Sequence, residues 1–123
     1  MRSLDEVRVV EVGEMVAAPY ASKLLADLGA HVIKVEPPGG DRARRHGPFP
    51  PGHEGDIERS GLFLGLNTNK QSIELDLETE SGRAQLADLI DQCDVVVHGL
   101  HAAEALVAGL DADSLLTLSL IHI

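Results

Sequence analysis

The stretch that decides the fold class is Val7–Glu36, which reads VRVVEVGEMVAAPYASKLLADLGAHVIKVE. Its first six residues are rich in β-branched side chains and end at Gly13, a pattern that predicts a β-strand. Residues 19–29 predict a helix with an apolar face, and residues 30–36 predict a second buried strand. That face is formed by Ala21, Leu24, Leu25 and Leu28. Strand, helix and strand in this order indicate two parallel strands joined by a right-handed crossover.

The remainder of the chain continues the alternation. SIELDL (residues 72–77) predicts a half-exposed strand, residues 79–93 an amphipathic helix, and residues 94–100 another buried strand. Residues 102–118 predict one or two short helices. The inward residues expected in the helix over 79–93 are Ala84, Leu86, Ala87, Leu89 and Ile90. We therefore expect residues 1–117 to form an α/β domain with a Rossmann-like open, mostly parallel sheet.

Composition excludes several classes of protein. The chain has 20 acidic and 10 basic residues, and a net charge of −10 argues against nucleic acid as a partner. Cys93 is the single cysteine, so an intramolecular disulfide is excluded and a reducing compartment is favoured. No segment approaches the roughly 20 apolar residues that a membrane span needs. We expect a cytoplasmic protein with no membrane partner.

Residues 37–60 lose all periodicity and carry five prolines and five glycines. Segments of this length inside compact domains are usually functional or disordered. Arg42, Arg44 and Arg45 form the dense positive patch of this acidic chain. Their guanidinium groups could grip phosphate, or the loop could be solvated and partly neutralised by Asp41, and the sequence leaves both interpretations open.

Other chemistries find little support. The residues after the first strand read GEMVAAP, which lacks the G-x-G-x-x-G turn and disfavours NAD or FAD. Cys93, His98 and His101 have no second cysteine or carboxylate pair beside them, so no metal site is predicted. The polar connection LNTNKQS (residues 66–72) can bind the amides of a ligand or close a turn through Asx hydrogen bonds, and by itself it favours the turn.

Taken in order, two stretches resemble the family III CoA-transferases, the group that includes formyl-CoA transferase, carnitine CoA-transferase and α-methylacyl-CoA racemase. The first stretch is VVEVGEMVAAPYASKLLADLGAHVIKVEPPGGDRARRHGP, and the second is FLGLNTNKQSIELDLETESGRAQLADLIDQCDVVV. The resemblance extends from about Val7 to Leu116.

The resemblance implies a coenzyme A site. Met15, Val16 and Ala17 would line it after the first strand, while Leu66, Asn67, Thr68, Asn69 and Lys70 would face adenosine and pantetheine. Arg42 and Arg44 are the candidate phosphate contacts. Two departures from the family pattern stand at the same site. Pro37 replaces a frequent arginine, and Gly99 and Leu100 replace an Asn-Phe pair that helps to hold adenine.

The resemblance also implies the chemistry. An aspartate attacks the thioester of an acyl-CoA, and the exchange with a carboxylic acid proceeds through anhydride and thioester intermediates. That aspartate is expected downstream of this chain, so the residues present supply no catalytic group. The implied assembly is an interlocked homodimer that uses coenzyme A as substrate and holds no covalent cofactor. An acyl-CoA racemase and a non-catalytic CoA-binding fragment are the alternatives, and the donor and acceptor acids are not encoded in these residues.

The end of the chain reads LSLIHI (residues 118–123), an apolar run without a terminating signal. The same six residues are a translation of the mosaic-end adapter of transposase-based sequencing libraries. They also replace the Asn-Pro-Arg stretch that the family would have here. We therefore expect 118–123 to be a non-native tail, the alternative being a genuine buried strand.

Overall fold

A computed structural model describes residues 3–117 and 121–122. Within these ranges, five strands form one sheet in which every pairing is parallel. The strands are β1 (Arg8–Val12), β2 (His31–Glu36), β3 (Lys70–Glu74), β4 (Val95–His98) and β5 (Ile121–His122). Their order in the sheet is β3-β2-β1-β4-β5. This Rossmann-type order confirms the predicted α/β class and the parallel crossover between the first two strands.

The helices lie between the strands. They are α1 (Ala17–Asp27), α2 (Gly61–Leu66), α3 (Glu80–Asp91), α4 (Ala102–Ala108) and α5 (Ala112–Thr117), with a 3-10 helix at Arg42–Arg45. The two short helices predicted after the fourth strand are therefore present. Within the described ranges, no helix is both long and apolar enough to cross a bilayer.

Helix α1 packs on one face of the sheet through small residues. Ala18, Ser22 and Ala26 are buried and recur every fourth position, which lets the helix approach Val9 and Val32 closely. Ala21 and Leu25 are half-buried as expected, but the prediction that Leu24 and Leu28 point inward was wrong, because these two side chains are 47% and 52% exposed. Leucine is too large for the close contact that the alanines make, so it lies on the outer side.

Helices α3, α4 and α5 cover the opposite face. Leu86 and Ile90 of α3 are buried against the strand residues of that face, and Leu89 packs partly against them. Ala84 and Ala87, also predicted to point inward, are exposed. The buried stripe of α3 instead runs through Gly82, Leu86 and Ile90, at four-residue spacing.

Strand β3 begins two residues earlier than the predicted 72–77. The cause is its pairing with β2, which places Lys70 opposite Val32 and Glu74 opposite Glu36. Leu75 N–H adds one more bond to the Glu36 carbonyl, after which the chain leaves the sheet.

The predicted tail, residues 118–123, falls largely outside the described residues. Only Ile121 and His122 belong to them, and they pair in parallel with Val95 and Val96 of β4. The non-native origin of the tail stays a prediction, as does the boundary at residue 117.

Candidate functional site

The carboxyl ends of the parallel strands meet at one edge of the sheet, where open α/β folds bind their ligands. The strand order reverses between β1 and β4, and Gly13 and Gly99 follow these two strands. Gly99 N–H donates to the Val12 carbonyl at 3.1 Å. A Cβ on Gly13 would stand 2.6 Å from Ala18 Cβ and 3.3 Å from Gly99 N, so a glycine is needed for α1 to lie this close. Gly13 therefore lets helix α1 and the segment after β4 lie in close contact at the switch point.

A cleft of about 770 Å³ opens at this edge, on the side of the sheet that α3 and α4 cover. Four chain segments form its walls, one following each of the strands β1 to β4. The lining residues include Gly13, Glu14, Pro37, Pro38, Leu75, Asp76, Leu77, Glu78, Leu100, Ala103, Glu104 and Val107. Its walls are mostly apolar and also include the acidic residues Glu14, Asp76, Glu78 and Glu104. Apolar walls suit a ligand with a flat or aliphatic part.

The structure brings two of the predicted site segments to this edge. Met15, Val16 and Ala17 follow Glu14 of the cleft wall and start helix α1, with Val16 at the N-cap, 51% exposed and making no side-chain cap bond. Leu100 lines the cleft directly, and its N–H donates to His98 Nδ1 at 3.3 Å. Gly99, beside it, is exposed.

The third predicted segment, residues 66–70, lies elsewhere. Residues 66–69 precede β3 and Lys70 begins it, so the segment stands at the amino end of that strand, away from the carboxyl edge. Asn69 has a φ of +65° and its Nδ2 donates to Asp27 Oδ1 at 2.9 Å, at the last residue of α1. Met15 and Asn69 are therefore found at opposite ends of α1, and the structure does not bring their segments together.

Polar side chains of residues 66–70 form hydrogen bonds with other residues of the chain. Lys70 Nζ donates to Glu11 Oε1 at 2.6 Å, to the Pro19 carbonyl at 2.9 Å and to Asn67 Oδ1 at 2.7 Å. Asn67 Nδ2 donates in turn to the Phe63 carbonyl at 2.8 Å. Burial lowers the pKa of Lys70, and the hydrogen bond to Glu11 opposes that shift. Leu66 is half-buried and Thr68 is exposed. The segment thus secures helix α2 and the loop before β3 against β1 and α1.

The arginines have different environments. Arg44 forms a two-point ion pair with Glu36, Nε to Oε1 at 2.7 Å and Nη2 to Oε2 at 2.8 Å, and its guanidinium stacks on Phe63 at 3.7 Å. Arg45 donates to the Gly39 carbonyl at 3.2 Å. Arg42 has a largely exposed side chain, paired with Glu14 at 3.2 Å beside the cleft. Of the two candidate phosphate contacts, Arg42 lies next to the cleft and Arg44 is held by the fold.

Glu36 is the acidic centre of this arrangement. Burial by itself would raise its pKa, but the guanidinium of Arg44, the N–H of Asp41 and the hydroxyl of Ser72 all bond to the carboxylate. Together they lower the pKa of Glu36 to about 2. The sharp turn after β2 is therefore built around a charged carboxylate.

A buried network of charges, which the sequence reading missed, connects β1, β2 and the long loop. Lys34 is fully buried, with its Nζ 2.7 Å from Glu11 Oε2 and 2.9 Å from Asp41 Oδ2. Glu11 and Lys34 are register partners in neighbouring strands. The sequence did contain a signal for this pair. Each of the two apolar strands carries a charged residue between apolar ones, Glu11 in VVEV and Lys34 in VIKVE, and the two charges are opposite. The cleft residues 75–78 were also missed, although residues that directly follow a parallel strand always reach the binding edge.

Comparison with known proteins identifies the family. Residues 4–119 match the CoA-transferase family III, and the chain belongs to that family. It is 44% identical over 103 residues to the succinyl-CoA:mesaconate CoA-transferase of Haloarcula hispanica, covering 83% of this chain and 26% of that protein. It is 38% identical over 118 residues to the succinate–glutarate CoA-transferase of Agrobacterium fabrum, covering 94% of this chain and 30% of that one. The chain thus spans less than a third of the length of these relatives.

Solved structures agree with this assignment. A CaiB/BaiF family protein from Brucella suis superposes with a TM-score of 0.86 at 38% identity, covering 98% of this chain and 32% of that one. The protein Rv3272 from Mycobacterium tuberculosis gives 0.85 at 37% identity, covering 99% and 33%. The expected membership in family III and the expected fold are both confirmed.

Proposed function

We propose that this chain forms the coenzyme A-binding part of a family III CoA-transferase, which moves CoA from an acyl-CoA to a carboxylic acid. The observation that carries the proposal is the cleft at the switch point of the sheet, walled by the segments that follow β1 to β4. Family membership and the printed names of the relatives, which are CoA-transferases, support the reaction class.

The parts of coenzyme A suit different parts of the site. The apolar walls formed by Leu75, Leu77 and Leu100 would take the adenine or the pantetheine chain. The exposed guanidinium of Arg42 and the uncapped start of α1 would face the phosphates, because helix N-termini and arginine attract anions. No covalent cofactor is required for the proposed exchange.

The chemistry proposed is covalent catalysis by a carboxylate. The aspartate oxygen attacks the thioester carbonyl and CoA leaves as thiolate, which forms a mixed anhydride. The thiolate then attacks the aspartyl carbonyl of the anhydride, releasing the donor acid and leaving an aspartyl-CoA thioester. The acceptor carboxylate attacks this thioester and forms a second anhydride, with release of CoA thiolate. Attack of that thiolate on the acceptor acyl carbon yields the new CoA ester and restores the aspartate.

We propose that none of the aspartates of this chain is this nucleophile. The buried carboxylates Glu11, Glu36 and Asp41 are each paired with a cation, and none has the surroundings of a nucleophile. We therefore expect the 123-residue chain to bind CoA but to catalyse no transfer. The interlocked homodimer, implied by the resemblance, and the cytoplasmic location, expected from the composition, belong to the same proposal for the whole protein.

Calorimetric titration of the 123-residue chain with coenzyme A tests the binding site. Leu100→Ala should weaken binding about tenfold, since it removes about 1–2 kcal/mol of apolar contact. Leu64→Ala is the matched control, because Leu64 is 51% exposed on α2 outside the cleft. Equal effects of the two variants, or no binding to the folded wild-type chain, would contradict the proposal.

Asn69→Ala in the same titration tests the predicted contact of residues 66–70. A loss of affinity without a change in folding would support that contact, and an unchanged Kd would restrict the site to the carboxyl edge. The reaction itself is tested on a full-length protein that contains these residues, with succinyl-CoA as donor and mesaconate or glutarate as acceptor. Racemisation of a 2-methylacyl-CoA without exchange would favour the racemase alternative instead.

A further inference from the structure

The loop between β1 and α1 adopts a backbone conformation that its sequence disfavours. Met15 has a φ of +69°, a region that residues with a Cβ seldom occupy, and the loop contributes Gly13 and Glu14 to the cleft wall. A neighbouring group must hold such a residue in place, since a methionine in water would adopt other conformations.

Asp41 supplies that hold. Its Oδ1 accepts from Met15 N–H at 3.0 Å and from Ala43 N–H at 2.8 Å, so that one oxygen connects the loop to the 3-10 helix. The residue is fully buried, and its Oδ2 lies 2.9 Å from Lys34 Nζ.

The same cluster fixes the two residues that precede Met15. Lys34 Nζ donates to the Gly13 carbonyl at 3.1 Å, and Arg42 N–H donates to Glu14 Oε1 at 3.0 Å. Asp41 precedes Arg42 in the chain and pairs with Lys34. It therefore adjoins both donors, and it bonds directly to the Met15 N–H. One carboxylate oxygen of Asp41 accepts from the loop, and the ammonium of Lys34 compensates the negative charge.

We infer that Asp41 is a positioning residue of the coenzyme A cleft, acting through the Met15 N–H to keep the β1–α1 loop in its binding conformation. This inference rests on the proposed function. It differs from a purely structural role because it predicts an effect on affinity in protein that is still folded.

A double-mutant cycle with coenzyme A tests the inference. Asp41→Ala should raise Kd about tenfold. Without Asp41 we expect the loop to populate its binding conformation about a tenth of the time, and the apparent affinity falls by the same factor. In a Met15→Gly background the same substitution should weaken Kd by less than about threefold, because glycine adopts positive φ without support. Measuring Asp41→Ala in both backgrounds cancels the loss of the methionine side chain.

Two further variants separate positioning from stability. Asp41→Asn keeps an oxygen that can accept from Met15 N–H, so its Kd should stay within about threefold of wild type even if its stability falls. Leu86→Ala removes fully buried core volume at a residue that does not line the cleft, and its folded fraction should bind CoA as wild type does. An equal cost of Asp41→Ala in both backgrounds, or weakened binding by Leu86→Ala to the same degree, would overturn the inference.

A ligand-free measurement distinguishes failure of this inference from failure of the proposed function. Backbone chemical shifts from NMR report the φ angle of Met15, which should remain positive in wild type and Asp41→Asn and change in Asp41→Ala. If wild type does not bind CoA, the proposed function fails and this measurement alone decides the role of Asp41. A positive φ retained in folded Asp41→Ala would overturn the inference whatever the affinity.

Discussion

The ammonium of Lys70 lies 2.6 Å from Glu11 Oε1, although the two residues are 59 positions apart in the sequence. Glu11 is fully buried, and its second oxygen receives Lys34 at 2.7 Å. One carboxylate on β1 therefore pairs with two ammonium groups, one from each of the next two strands of the sheet. This arrangement joins β1, β2 and β3 through their side chains.

Replacing Glu11 by alanine should lower the free energy of unfolding by about 3–5 kcal/mol, because it leaves the buried ammonium of Lys70 without its carboxylate and that of Lys34 with Asp41 alone. Urea denaturation followed by circular dichroism measures the change. Lys23→Ala is the matched control, since it removes the partly exposed pair with Asp27 and should cost about 0.5 kcal/mol or less. A cost below about 1 kcal/mol for Glu11→Ala would show that the network adds little.

Acid should weaken the fold through Glu36. The pKa of this carboxyl is about 2 in the folded chain against an ordinary value of 4.5, so the ionised form stabilises the fold above pH 4.5. That contribution is lost as the pH falls from 4.5 towards 2. The difference in unfolding free energy between wild type and Glu36→Gln should therefore shrink over this range.

Ser72→Ala gives a second check on Glu36. It removes one of the hydrogen bonds that lower the pKa, so the loss of stability should be smaller and should be complete at a higher pH than in wild type. A difference between wild type and Glu36→Gln that stays constant with pH would show that Glu36 keeps its ordinary pKa after folding.

Gly82→Ala should destabilise the chain by more than about 2 kcal/mol and disturb the loop at Asp76. A Cβ at this position would stand 1.8 Å from the Asp76 carbonyl oxygen, so helix α3 or the cleft loop must move. Gly65→Ala in helix α2 is the control, because nothing lies within 4 Å of the added methyl group. Thermal unfolding should show a gain of about 0.5–1 kcal/mol for Gly65→Ala. Similar effects at both positions would contradict the packing of α3.

The two sides of helix α1 should respond differently to substitution. Leu28→Lys should change the unfolding free energy by no more than about 0.5 kcal/mol, because Leu28 is 52% exposed. Ala26→Leu should cost about 1–3 kcal/mol, because Ala26 is buried against the sheet and has no space for a larger side chain. If Leu28→Lys proves the more damaging of the two, the orientation of α1 is different from the one described.

Much of the fold was predictable because its signals are local. The β-branched runs at residues 7–12 and 30–36, with a helix between them, led to parallel pairing and to the class of the sheet. The face of α1 was not predictable from apolar spacing, since Leu24 and Leu28 fit the pattern as well as Leu25 does. In the folded chain the smaller side chains face the sheet, because they let helix α1 lie closest to the strands. These are Ala18, Ser22 and Ala26.

The sequence by itself determined the elements, their order, and the family resemblance, all of which follow from residues near one another along the chain. Only the tertiary structure decided the site. The cleft needs the carboxyl ends of four strands at one edge, and the pairings of Lys70 with Glu11 and of Asp41 with Met15 bridge long separations in sequence. Spacing cannot reveal such contacts, because they form only when the parallel sheet brings residues that are distant in sequence side by side and buries them together.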